Sequence, residues 1–161
     1  MESKKVNFAE NFNELLVAFA KCNVDFLVVG GYAVNFHGHD RTTSDLDIWI
    51  NPTEINKEKI YNSLISIGYD IEGAKQVFEL NFEQPCCFKL GDDFYPVDIF
   101  THVLGVSFED ASRDKILFQV EDGVNIYFIS FNHLVINKML AGRDKDKNDV
   151  DALQNIIRFK K

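Results

Sequence analysis

Residues 45–50, Asp-Leu-Asp-Ile-Trp-Ile, open by alternating acid and apolar side chains and end on Trp and Ile. Strand side chains alternate faces, so as a strand this run turns Asp45, Asp47 and Trp49 to one side and Leu46, Ile48 and Ile50 to the other. Two carboxylates then share a face above a core. A second run, YPVDIF at 95–100, repeats the pattern with one acid, Asp98, set against Val97 and Ile99. If the two strands are neighbours, three carboxylates converge. Unit charges ~4 Å apart repel by about 4 kcal/mol at an effective dielectric of 20. Such a cluster is costly empty and well compensated by Mg²⁺, which takes oxygen ligands. An Asp-x-Asp pair alone marks a solvent-facing strand side equally well, so the reading rests on what surrounds it.

Helical periodicity over 8–21, with Phe12, Leu15, Leu16 and Phe19 on one arc, predicts an amphipathic opening helix. VDFLVV at 24–29 reads as a buried strand that stops at Gly30–Gly31, and YAVNFH begins a second helix. HGHDRTTS is a polar loop leading into the acidic strand. Residues 54–67 read as a helix with Ile55, Ile60, Leu64 and Ile67 on its buried side and Gly68 as the stop. Strands are expected at 77–82, 86–90 and 95–100, and a hairpin at 116–120 and 124–129 with Asp122–Gly123 as its turn. Ser130 and Gly142 bound a helix over 131–141, and a last helix runs from about Asn148 to Phe159. Together these elements predict one α+β (α/β-like) domain over 1–161, a mixed sheet backed by helices with a helical pair at the C-terminal end.

The formal charge of −8 leaves no basic face for extensive nucleic-acid binding. Cys22, Cys86 and Cys87 form neither a disulfide framework nor a zinc-type pair, and no apolar run approaches the ~20 residues that cross a bilayer. The charged, amphipathic amino-terminal stretch lacks a leader's apolar core. A cytoplasmic protein fits best.

A strand ending in Gly30–Gly31 before a helix offers free backbone N–H groups to phosphate, and glycine permits close approach to the main chain. Arg41, Thr42, Thr43 and Ser44 immediately precede the acidic strand and could reach phosphate oxygens, although as an ordinary polar loop they need no function. Lys138 shares the apolar arc of Phe131, Leu134 and Val135, so it either snorkels to water or points along a cleft. Asp146 and Asp149 have the spacing of an N-cap acid and an N3 acid. Arg143 and Lys147 read as solvated charges. His37 and His39 read as turn residues, and His102 and His133 carry little signal.

GGYAVNFHGHDRTTSDLDIWI resembles the signature of the DNA polymerase β-like nucleotidyltransferase superfamily. There a Gly-Gly or Gly-Ser pair ends one strand, an Asp-x-Asp lies on the next, and a third Asp, matched here by PVDIF, follows on a later strand. Thirteen residues separate Gly31 from Asp45, and Gly31 stands where many active members carry serine. HLVINKMLAGRDKDKNDVDAL at 133–153 is similar to the helical end of small bacterial members, among them abortive-infection toxins (toxin–antitoxin systems) and relatives of antibiotic-modifying nucleotidyltransferases.

The resemblance implies transfer of a nucleoside monophosphate from an NTP, such as ATP, to an acceptor hydroxyl on a small molecule, a protein or an RNA 3′ end. It implies two Mg²⁺ ions, with Mn²⁺ as a substitute, held by Asp45, Asp47 and Asp98. Gly30, Gly31, Arg41, Thr43 and Lys138 would face the nucleotide. Two other readings stay open: a degenerate nucleotide- or partner-binding module, and a metal-dependent phosphohydrolase using the same acids.

Overall fold

Helix α1 (Glu10–Lys21) buries Phe12, Leu15, Leu16 and Phe19, the arc its 3.6-residue period dictates. It leads into β1 (Phe26–Val29), every residue of which is buried. At the end of β1 the chain turns directly into α2 (Gly30–Phe36), which starts at the glycines themselves. A loop then leads to β2 (Leu46–Ile50). This computed structural model describes residues 5–160, so the first four positions of the charged amino-terminal stretch lie outside it.

The rest of the chain runs α3 (Glu54–Ser66), α4 (Ile71–Lys75), β3 (Cys87–Leu90), β4 (Val97–Phe100) and α5 (Phe108–Arg113). It continues with β5 (Ile116–Glu121), β6 (Val124–Phe128), α6 (Phe131–Ala141) and α7 (Asp144–Phe159). Six strands form one sheet in the order β3-β4-β2-β1-β6-β5. It is mixed: β2 lies antiparallel to β1 and parallel to β4, and β6 is parallel to β1. With seven α-helices among the described residues and α6–α7 as the closing pair, the fold is α+β and nucleotidyltransferase-like. Packing against the sheet is heavily aromatic, with the Phe36 and Phe128 rings stacked 4.2 Å apart. No helix among the described residues is long and apolar enough to cross a membrane.

Three elements differ from the expectation. Ile55 is 70% exposed, whereas Asn56 and Lys57 are buried. Polar contacts decide that face of α3. The Asn56 amide donates to the carbonyls of Asp25 and Asn51, and its oxygen accepts from the Asp25 N–H. Lys57 donates to the Leu80 carbonyl and lies over the Phe82 ring. Second, the strand expected at 77–82 is a 3₁₀ turn (Gln76–Glu79) continuing α4. Asp70 starts that helix by accepting from the Gly73 N–H at 2.8 Å, and local capping outweighs the apolar residues beyond it. Third, α7 begins at Asp144, not near Asn148. Arg143 is its N-cap residue, and the Asp146 carboxylate bonds back to the Arg143 N–H at 3.2 Å.

Candidate active site

The antiparallel register of β1 with β2 sets Val29 opposite Asp47, and the parallel register of β2 with β4 sets Asp47 opposite Asp98. On β3, Lys89 pairs with Asp98. One row across four strands therefore reads Val29, Asp47, Asp98, Lys89. Asp45 precedes β2 by one residue, and its Oδ1 accepts from the Ser44 hydroxyl at 2.9 Å. Asp45, Asp47 and Asp98 line one cleft of about 330 Å³ together with Gly30, the apolar Phe100, Val103 and Leu104, and the basic Lys138 and Lys145.

Gly30 closes this arrangement from below. Its φ is +62°, and a Cβ there would lie 2.0 Å from Asp47 Oδ2 and 2.8 Å from Asp47 Cβ. Only glycine lets the β1–α2 turn press against the carboxylate. Buried in this way and facing the charges of Asp98 and Asp45, the Asp47 carboxyl is pushed up to about 6, with Lys145 and Lys138 opposing the rise. Asp98 Oδ1 is shut away from solvent without a hydrogen bond, and the Lys89 ammonium lies 3.3 Å from it. As placed, no three His, Cys, Asp or Glu side chains among the described residues form a ready-made ion cage. The donor chemistry nevertheless fits a hard divalent cation: carboxylate oxygens only, one of them buried with an exposed lysine as its partner and another pushed up by burial and by the neighbouring acids.

Beside the cleft lies a smaller polar pocket of about 140 Å³, bounded by Gly30, Gly31, Arg41, Thr43, Lys138 and Lys145 among others. Behind it, α6 and α7 are stapled by charge. Lys138 is buried, with its ammonium 3.1 Å from Asp146 Oδ1 and 2.8 Å from Asp149 Oδ2. Arg41 reaches the same Asp149 through Nε at 2.8 Å and Nη2 at 3.0 Å. Arg143 Nε donates to Asp146 Oδ2 at 2.6 Å. Three cations and two acids leave 3 − 2 = +1 on this network. A chain of net charge −8 thereby keeps a locally positive wall beside its acids.

The expected site residues thus fall into two groups that share the cleft and the pocket: the three aspartates with Gly30, and the Gly31, Arg41, Thr43 and Lys138 set. Two roles need correction. Asp146 is the N3 acid of its helix rather than the N-cap, and Asp149 caps nothing, because it is buried between Arg41 and Lys138. Arg143 is exposed, as a solvated charge would be, but its Nε and Nη2 also donate to Asp146. The signal for this was Lys138 on an apolar arc, since a lysine folded inward needs acids to meet it. His102 lines the cleft, whereas His37 is buried with Nε2 2.8 Å from the Ile129 carbonyl.

No curated protein is similar enough to this chain to be matched. The family model described as "Nucleotidyltransferase of unknown function (DUF6036)" matches residues 6–158, which takes in every strand of the sheet, the cleft and nearly all of the closing helix pair, and the chain belongs to that family.

Proposed function

We propose that the protein transfers a nucleoside monophosphate from an NTP to an acceptor hydroxyl at the cleft of Asp45, Asp47 and Asp98, as members of the polymerase β-like superfamily do. The observation that carries this reading is the pairing of Asp47 with Asp98 across two adjacent parallel strands, with the Gly30 turn pressed against Asp47.

Asp45, Asp47 and Asp98 are the residues that would hold divalent cations. Mg²⁺, when bound, supplies positive charge to the triphosphate and to the attacking and leaving oxygens. Gly30 and Gly31 bring the main chain against the β- and γ-phosphates. Lys145, with the net positive network in which Lys138 and Arg41 are held by Asp146 and Asp149, supplies positive charge to those phosphates, and Phe100, Val103 and Leu104 are left for the base or the acceptor. Asp98, whose Oδ1 has only the exposed Lys89 ammonium beside it, orients the acceptor hydroxyl and receives its proton. The acceptor oxygen bonds to the α-phosphorus as the bond to pyrophosphate breaks. The acceptor is a small molecule, a protein or an RNA 3′ end, and a role as toxin or resistance factor follows from which it is.

The reading is tested by incubating the protein with each α-labelled NTP, Mg²⁺ and a cell extract, then separating protein, RNA and small molecules. Label should enter one fraction with wild type and none with Asp98→Asn. Equal labelling by both proteins would rule out transfer at this site.

A further inference from the structure

Gly31 and Thr43 explain each other. Gly31 does not lie in the left-handed region, so its backbone does not demand glycine. What demands it is space. A Cβ on Gly31 would fall 2.4 Å from Thr43 Oγ1 and 2.9 Å from Thr43 Cβ. The threonine hydroxyl therefore occupies the volume in which a side chain at position 31 would begin.

The loop that delivers it is fixed at two points. Asn35 on α2 clasps Arg41 reciprocally, its amide donating to the Arg41 carbonyl at 2.9 Å and its oxygen accepting from the Arg41 N–H at 3.2 Å. The Arg41 guanidinium is in turn held by Asp149 of α7. Thr43 thus sits at a defined place on the wall of the polar pocket, among Arg41, Lys138 and Lys145. Its hydroxyl makes one long contact, 3.4 Å to the Asp45 carbonyl, so its proton is weakly committed. The pocket is lined by four cations, Arg41, Lys138, Arg143 and Lys145, against two acids, Asp45 and Asp47, and a hydroxyl donates more strongly to an anionic oxygen than to a neutral carbonyl.

We propose that Thr43 Oγ1 is a phosphate-binding group: from the space that a side chain at position 31 would fill, it donates a hydrogen bond to a non-bridging oxygen of the bound triphosphate. This rests on the transfer reading above and adds to it the residue that fixes the triphosphate's position. The role belongs to the loop before β2, and the Arg41–Asp149 pair serves it by holding that loop.

The test is titration calorimetry with Mg²⁺ and a non-hydrolysable ATP analogue, and with Mg²⁺ and inorganic tripolyphosphate, which has no base. Thr43→Val, nearly the same shape without the hydroxyl, should weaken both ligands by about tenfold or more. Thr43→Ser should stay within about threefold of wild type. Moving the hydroxyl across the turn supplies the second arm: Gly31→Ser with Thr43→Gly should bind more tightly than Thr43→Gly alone. Thermal midpoints report folding of each variant. Wild-type affinity in Thr43→Val, or Thr43→Ser as weak as Thr43→Val, would overturn Thr43's role and leave the transfer reading standing. No gain in the double variant over Thr43→Gly would do the same. A wild-type protein that binds neither ligand would overturn both.

Discussion

A carboxylate whose neighbours are two more carboxylates and a turn pressed against its side chain is held at a cost to the fold. For Asp47 the sign is definite. Its folded pKa, about 6, lies above its ordinary value of 3.8, so the metal-free folded state holds the proton more tightly than the unfolded chain. That stabilisation is fully present below the ordinary value and is lost as pH rises through about 6. Asp47→Asn should therefore make the metal-free protein more stable than wild type at pH 8, by about 1–3 kcal/mol in urea denaturation. The advantage should shrink towards pH 4. Adding Mg²⁺ or Mn²⁺ should raise the thermal midpoint of wild type and do so less in Asp47→Asn, because a ligand that binds only the folded state stabilises it by mass action. An equal shift in both proteins would place the cations elsewhere. Gly30→Ala meets a different obstacle, a positive φ together with Asp47 Cβ at 2.8 Å from the new methyl. Circular-dichroism melts should show a loss of about 1–3 kcal/mol. Both effects were half legible from residue types: the alternation of 45–50 and the Gly-Gly stop were readable, but the contact between them was not, because it depends on the β1–β2 register.

The pair α6–α7 shows where local reading succeeds and where it fails. Ser130 accepts from the His133 N–H, and Gly142 closes α6 at φ +66°, both as sequence alone predicts. The start of α7 did not follow, because the N-cap is an arginine whose main-chain N–H, rather than a short polar side chain, completes the capping box. Burial alone would push Asp146 up, but hydrogen bonds from Arg143 and Lys138 outweigh it and hold the carboxyl below its ordinary value. Its contribution to stability is thus present above the ordinary carboxylate range and lost as pH falls through the lowered folded value. Lys138→Met leaves Asp146 and Asp149 buried without the ammonium between them. A lysine that only snorkels would be replaceable by methionine with little loss. With the ammonium enclosed, the substitution should cost about 3–5 kcal/mol, read from the urea midpoint. A midpoint within experimental error of wild type would mean that the ion pairs contribute nothing net.

At the scale of the molecule, strand identity was largely readable and strand order was not. Helical or strand character follows from periodicity within a dozen residues, and six of the expected strand runs did form strands. The order β3-β4-β2-β1-β6-β5 depends on which faces pack, information spread over the whole chain. That order makes Asp47 and Asp98 neighbours although 50 residues of sequence lie between them. The overall charge of −8 likewise does not reveal that a +1 network of Arg41, Lys138, Arg143, Asp146 and Asp149 lies beside the acids.

The central claim is that this cleft moves a nucleoside monophosphate and expels pyrophosphate. Parallel reactions with α-labelled and γ-labelled NTP, in the presence of Mg²⁺ and the acceptor fraction, separate transfer from hydrolysis most directly. The account predicts that the α-label becomes fixed to the acceptor while the γ-label leaves as pyrophosphate, and that Asp47→Asn and Asp98→Asn abolish both. Release of γ-label as inorganic phosphate with no α-label on any acceptor would contradict it and make the protein a hydrolase.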